Sequence, residues 1–181
     1  PVTTGAQMYR HDGTTPAAQT TLSYNGQSVT TPAGPLQFVT TTGDTFLSYC
    51  VELTSEASRS FQTYTETTFS ASVTQLLGGL FSATSLLTNK VDTVEEYAAM
   101  ALAVWEITED TSGKLSVSNG NFSVTSTDTQ SKTEVALANS YLQAAKNWTG
   151  ASLFTVTKLT NDSYQDQVKV RSEEHTSELQ S

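Results

Sequence analysis

The sequence predicts an α+β domain, with β-sandwich- or barrel-like strands interrupted by a block of about three helices. Three observations predict it. Residues 6–53 alternate in short runs broken by Asn25-Gly26, Pro32-Ala33-Gly34-Pro35 and Gly43-Asp44. Residues 93–107 read as a capped, apolar helix. Strand-like runs return after residue 150, and the composition is rich in Thr and Ser with only 15% charged residues. Low charge with abundant Thr suits a half-solvated pleated surface.

The elements follow in order. Thr21-Leu22-Ser23-Tyr24 alternates and runs into Asn25-Gly26, a two-residue hairpin signal because both central positions of a type I′ turn need positive φ. Leu36-Gln37-Phe38-Val39 starts another strand, and Thr45 to Leu53 a longer one. In the latter, Leu47, Tyr49, Val51 and Leu53 share the expected core face, while Phe46, Ser48, Cys50 and Glu52 share the other, where a helix can cover Cys50. Val73, Leu76, Leu77, Leu80 and Phe81 recur at helical spacing, although Gly78-Gly79 predicts a weak or broken middle. Thr93-Val94-Glu95-Glu96 is a capping box, its hydroxyl and carboxylate satisfying first-turn amides. Tyr97 to Ile107 is apolar nearly all round, which predicts a buried helix. Lys114 to Ser126 reads as a strand pair around Asn119-Gly120. A third helix spans about Ser131 to Asn147, with Val135, Ala138, Tyr141, Leu142 and Ala145 on one stripe. Leu153 to Thr157 and Tyr164 to Val170 close the series as strands.

The chain has 181 residues and a formal charge of −9. Its last eleven residues, RSEEHTSELQS, resemble the translation of a short-read sequencing adapter. Residues 171–181 are therefore expected to be a non-native tail, and residues 1–170 one exported domain, cut short of its natural ends. Without that tail the charge stays negative and His11 is the sole histidine. Acidic balance with no Lys/Arg cluster argues against nucleic acid or an anionic membrane as partner. No apolar run reaches the length needed to span a bilayer. The single cysteine, Cys50, excludes an intrachain disulfide and any cysteine cluster for a metal.

Phe46-Leu47-Ser48-Tyr49-Cys50-Val51-Glu52-Leu53 resembles the tyrosine-cysteine-hydrophobic-acid segment of exported bacterial proteins that carry a PEP-CTERM sorting signal. The related thioester domains of Gram-positive surface adhesins share it. Ala101-Leu102-Ala103-Val104-Trp105-Glu106-Ile107 is similar to the same group's glutamine-x-alanine-hydrophobic-tryptophan-glutamate helix. Gly120-Asn121-Phe122, the third helix and Gln165-Asp166-Gln167 follow in matching order. The resemblance covers most of residues 34–170. It implies export, display at the cell surface or in the matrix, and a missing C-terminal anchor as the only membrane contact.

In thioester domains a cysteine sulfur is acylated by a glutamine side chain with loss of ammonia. The resemblance places the sulfur at Cys50 and the glutamine at position 101. Position 101 is alanine, and a methyl group cannot form the bond. Ala101 thus marks a degenerate thioester position. Gln75 and Gln143 are candidates for a displaced glutamine, with nothing in the sequence aiming either at Cys50. As a nucleophile Cys50 lacks a base other than distant His11, so a small buried side chain is the expected role. Tyr49, Glu52, Trp105 and Glu106 complete the motifs. Trp105 is expected in the core with an acceptor for its indole nitrogen. Glu52 and Glu106 are expected to accept amide hydrogen bonds or face solvent, with acid–base work on a secreted glycan as the remote alternative. Asp110, Asp128, Asp162 and Asp166 show no calcium-loop spacing. There is no Gly-x-Ser-x-Gly elbow and no phosphate loop. The expectation is a non-enzymatic surface domain without cofactor or metal, binding an unidentified protein or polysaccharide. Its rival is a covalent adhesin.

Overall fold

The computed structural model describes residues 7–10, 16–86 and 91–173; His11 and His175 lie outside them. Strand β1 (Gln7–Arg10) precedes a hairpin of β2 (Ala18–Tyr24) and β3 (Gln27–Ala33). Asn25 and Gly26 form its turn at φ 50° and 82°, and Leu22 stands opposite Val29. Strands β4 (Leu36–Thr40) and β5 (Thr45–Cys50) form the next antiparallel pair. Two short strands, β6 (Gln62–Thr63) and β7 (Thr65–Thr67), come next. Then follow helices α1 (Ala71–Leu86) and α2 (Val94–Glu109), strand β8 (Phe122–Val124), helix α3 (Thr129–Asn147), and strands β9 (Phe154–Thr160) and β10 (Gln167–Ser172).

The main sheet has seven antiparallel strands in the order β6-β1-β4-β5-β10-β9-β7. Its two edge strands, β6 and β7, are separated in sequence by Tyr64 alone. One short segment therefore pairs with β1 on one side and β9 on the other, curling the sheet into a nearly closed barrel. Met8, Phe38, Tyr64 and Leu159 pack together inside it. A second sheet, β3-β2-β8, lies beside it, and the helices fill the space between. Helix α2 touches β2, β3, β5 and β8, while α3 packs on α1 and α2. The α+β reading with three inserted helices describes this architecture.

The main core is built on α2, where Ala98 to Ile107 are all buried. Thr93 caps this helix as a capping box, its hydroxyl accepting from the Glu96 amide and the Glu96 carboxylate accepting from the Thr93 amide. Four sequence expectations need correction. Helix α1 runs through Gly78 and Gly79 without a break. A Cβ on Gly79 would stand 2.6 Å from the Ala145 carbonyl, and one on Gly78 2.7 Å from the Ser152 hydroxyl. These glycines permit close packing and do not interrupt the helix. Strand β5 ends at Cys50, short of Leu53. Leu47 is 46% exposed although it shares a face with Tyr49; α1 reaches that face at Tyr49, which meets Phe81 with ring centroids 5.9 Å apart. Residues 114–126 supply only β8, which pairs with β2 and not with a strand from 114–119. The partners of β8 lie in the first hairpin, and the Asn119-Gly120 step turns the chain within a loop.

Among the described residues no helix is long and apolar enough to cross a membrane.

Candidate functional site

Cys50 ends β5, where α2 crosses the strand. Its thiol is buried and forms no disulfide. The indole N–H of Trp105 donates to the Cys50 carbonyl at 2.8 Å and lies 3.1 Å from the sulfur. Burial pushes the thiol up to about 12, against the smaller opposing pull of that indole. Burial thus favours the protonated form of the sulfur. The acceptor expected for Trp105 is therefore Cys50 itself, and the Trp105 ring packs edge-on against Phe122. Ala101, one helical turn before Trp105, is fully buried. Tyr49 is buried against Phe81, and burial raises its hydroxyl above the ordinary range.

Gln75 and Gln143 both stand on exposed helix faces, whereas Cys50 is buried. The structure brings two other glutamines to this place. Gln167 pairs directly with Cys50 across β5 and β10, so both side chains share one face of the sheet. The Gln167 carbonyl accepts from the Ser48 hydroxyl at 2.8 Å, and its amide donates to the Gln165 carbonyl at 2.9 Å. The Gln165 amide donates to the carbonyls of Glu52 and Ser55 at 2.9 and 2.7 Å. Both glutamines are buried, and each is held by hydrogen bonds that satisfy a buried polar group. Register between strands more than a hundred residues apart has no local sequence signal. The only hint was the polar pair Gln165 and Gln167 at period two within an expected strand.

Glu52 accepts from the Asp166 amide at 3.2 Å, the structural role expected of it. Glu106 is 2% exposed, so it does not face solvent; the expected backbone amide partner is that of Ser116. Its neighbour is Asp110, the residue capping the C-terminal end of α2, and burial followed by the charge of Asp110 pushes its carboxyl up to about 9. Glu52 and Glu106 thus have different hydrogen-bond partners. Among the described residues Phe61 is the large aromatic side chain that stands well exposed. No cluster of three or more His, Cys, Asp and Glu able to hold a metal occurs among those residues.

A cleft of about 440 Å³ opens beside Cys50. One wall is residues 29–32 of β3, and the other includes Leu53, Glu56 and Gln165. Side chains of consecutive strand residues point to opposite faces, so a cleft touching four in a row runs along the strand's edge. Strand β3 is an edge of its sheet. A hollow of about 510 Å³ on α3, lined by Thr129, Lys132, Thr133, Ala136 and Leu137, is wide open to solvent and apart from the motif residues.

No family model and no curated protein matches this sequence. Among solved structures, the chain is similar to the N-terminal thioester domain of fibronectin-binding protein SfbI from Streptococcus pyogenes. The two share 14% identity with a TM-score of 0.46, over 87% of this chain and 94% of that one.

Proposed function

We propose that this chain is an interaction domain of an exported bacterial surface or matrix protein, and that it holds its ligand without a covalent bond. The observation that carries the reading is Ala101, buried on α2 where the resembling sequences have their reactive glutamine. Two further features support it. The Cys50 thiol is kept protonated by burial and engaged by Trp105. The glutamines nearest to it are bonded into the sheet. Export and display rest on the ordered motifs of residues 46–53, 101–107 and 165–167, together with the low-charge, Thr-rich composition. The cleft along β3 is the contact region, because an edge strand offers unpaired backbone groups and the walls add Thr and Ser hydroxyls. The ligand is a protein or polysaccharide. The reading includes no catalytic step, cofactor or metal.

A covalent reading is favoured by one observation, the placement of Gln167 opposite Cys50. Intact mass separates the two. An unmodified mass, with one thiol titrated after unfolding, supports the non-covalent reading. A deficit of one ammonia, which methylamine converts to a gain of one methylene over the unmodified mass with release of the thiol, overturns it. Displayed on a bacterial surface, the domain is then expected to retain cells on a protein- or polysaccharide-coated support and to release them fully in a denaturing wash. Retention equal to that of undecorated cells removes the interaction role.

A further inference from the structure

Two buried oxygen atoms near the end of α2 have no hydrogen-bond donor, Glu106 Oε1 and Asp110 Oδ2. They belong to residues four apart on one helix, which places them on the same face. The two carboxyls lie within hydrogen-bonding reach of each other. Two carboxylates cannot bond without something positive between them, and leaving both oxygens bare in the interior would be costly. Gly120 crowds the Asp110 oxygen. A Cβ on Gly120 would stand 2.2 Å from Asp110 Oδ2 and 2.7 Å from the Ser112 hydroxyl. That crowding, and the small number of oxygen ligands, suit a proton better than a metal ion needing six or more.

We propose that Glu106 and Asp110 share one bound proton, and that this proton fastens the 111–121 loop to the end of α2. The proton sits on Glu106, and Asp110 is the ionised acceptor. Burial pushes Asp110 up, but the Ser112 hydroxyl and amide, Glu106 and the Phe122 amide together hold it below the usual carboxylate range. The loop's grip on the helix passes through this aspartate, since the Ser112 amide donates to its Oδ1 at 2.7 Å. Asn121 secures the far end, accepting from the Thr111 amide at 2.8 Å and donating to the Glu109 carbonyl at 3.2 Å. The same asparagine reaches Asn25 in the turn between β2 and β3 at 3.0 Å. Loss of the proton therefore sets two negative charges against each other where the loop, α2 and the first hairpin meet.

The groups facing Glu106 are few. Asp110 is the charge that acts on it, and the loop contributes the Ser116 amide. Lys114, the loop's own cation, is exposed. From β2, Tyr24 donates to Glu109 at 2.7 Å; from α3, Asn139 accepts from the Val117 amide at 2.9 Å. Glu106 titrates higher folded than unfolded. Its stabilising contribution is therefore complete below the ordinary glutamate range and is lost as pH rises through about 9. Glu109, Glu134 and Asp166 are also pushed up by burial, so a single variant must isolate the pair.

Thermal unfolding of the parent chain and of Glu106→Gln, from pH 5 to 9.5, tests this. In the Gln variant the side-chain amide donates to Asp110 at every pH. The parent is expected to lose close to tenfold more in its folding constant per pH unit than the variant does. Hydrogen exchange in residues 111–121 at pH 9 is expected to be faster in the parent. Parallel profiles overturn the proposal. So does millimolar Ca²⁺ that stabilises the parent alone and flattens its profile, since a metal then occupies the place of the proton. If Glu106→Gln fails to fold, infrared difference spectra of the parent and of Asp110→Asn decide. A protonated carboxyl band that disappears near pH 9 in the parent and at lower pH in Asp110→Asn sustains the proposal; a band unmoved by that substitution, or absent at pH 7, sinks it.

Discussion

Trp105 and Glu106 are neighbours on α2 and almost equally buried, yet they face opposite situations. Trp105 points to the end of β5, where its N–H meets the Cys50 carbonyl and the surrounding amides of Gln165 and Gln167 are also paired. Glu106 points to the 111–121 loop, where two acid oxygens lack donors. The motif around the cysteine is thus the settled half of the molecule, and the motif's own glutamate marks the tense half. The difference teaches that two neighbours on one buried helix can meet opposite polar surroundings. Here the sulfur is buried beside an indole N–H, and the polar imbalance is one residue away.

The comparison can be broken most forcefully by Trp105→Ala. It removes the largest fully buried side chain and strips the Cys50 carbonyl of its donor, and should cost about 4 kcal/mol in denaturant unfolding. A cost under about 1 kcal/mol would show that the settled half is not held by this contact. Gly120→Ala comes next, at about 2–3 kcal/mol. Gly120 has φ +104° and abuts Asp110, so the loss should be smaller in a Glu106→Gln background. Ser48→Ala should cost about 1–2 kcal/mol by leaving the Gln167 carbonyl unpaired. Cys50→Ala is expected to be mildest, about 1 kcal/mol, the value of one small buried group. In the native chain Cys50 should resist maleimide until the protein unfolds; rapid modification at pH 7 would contradict an inert sulfur.

What could be read from the sequence was what is decided locally. Thr93 and Glu96 announce the start of α2 because capping needs only four residues, and Asn25-Gly26 announces its turn for a similar reason. The apolar run before Ile107 gave away the central helix, and Trp105 was expected to have an acceptor. The chain does not spell out partners that come from far away. Gln167 lies opposite Cys50 only because β10 inserts beside β5. Gly78 and Gly79 looked like helix breakers because the groups that need their missing side chains, the Ser152 hydroxyl and the Ala145 carbonyl, come from much later in the chain. Glu106 looked like an ordinary motif carboxylate because Asp110, though four residues on, lies beyond the motif. Its burial depends on how the loop folds back.

The strand order has a consequence for how this molecule comes into being. Strand β10, late in the chain, lies between β5 and β9 in the sheet. While the polypeptide emerges from its N-terminal side, β5 has no partner on one edge until residues 167–172 are available, and the barrel cannot shut. Helices α1 to α3 have all been made by then and wait on an open sheet. Such a topology delays its decisive pairing until residues 167–172 have been made, and contacts of such long sequence separation form slowly.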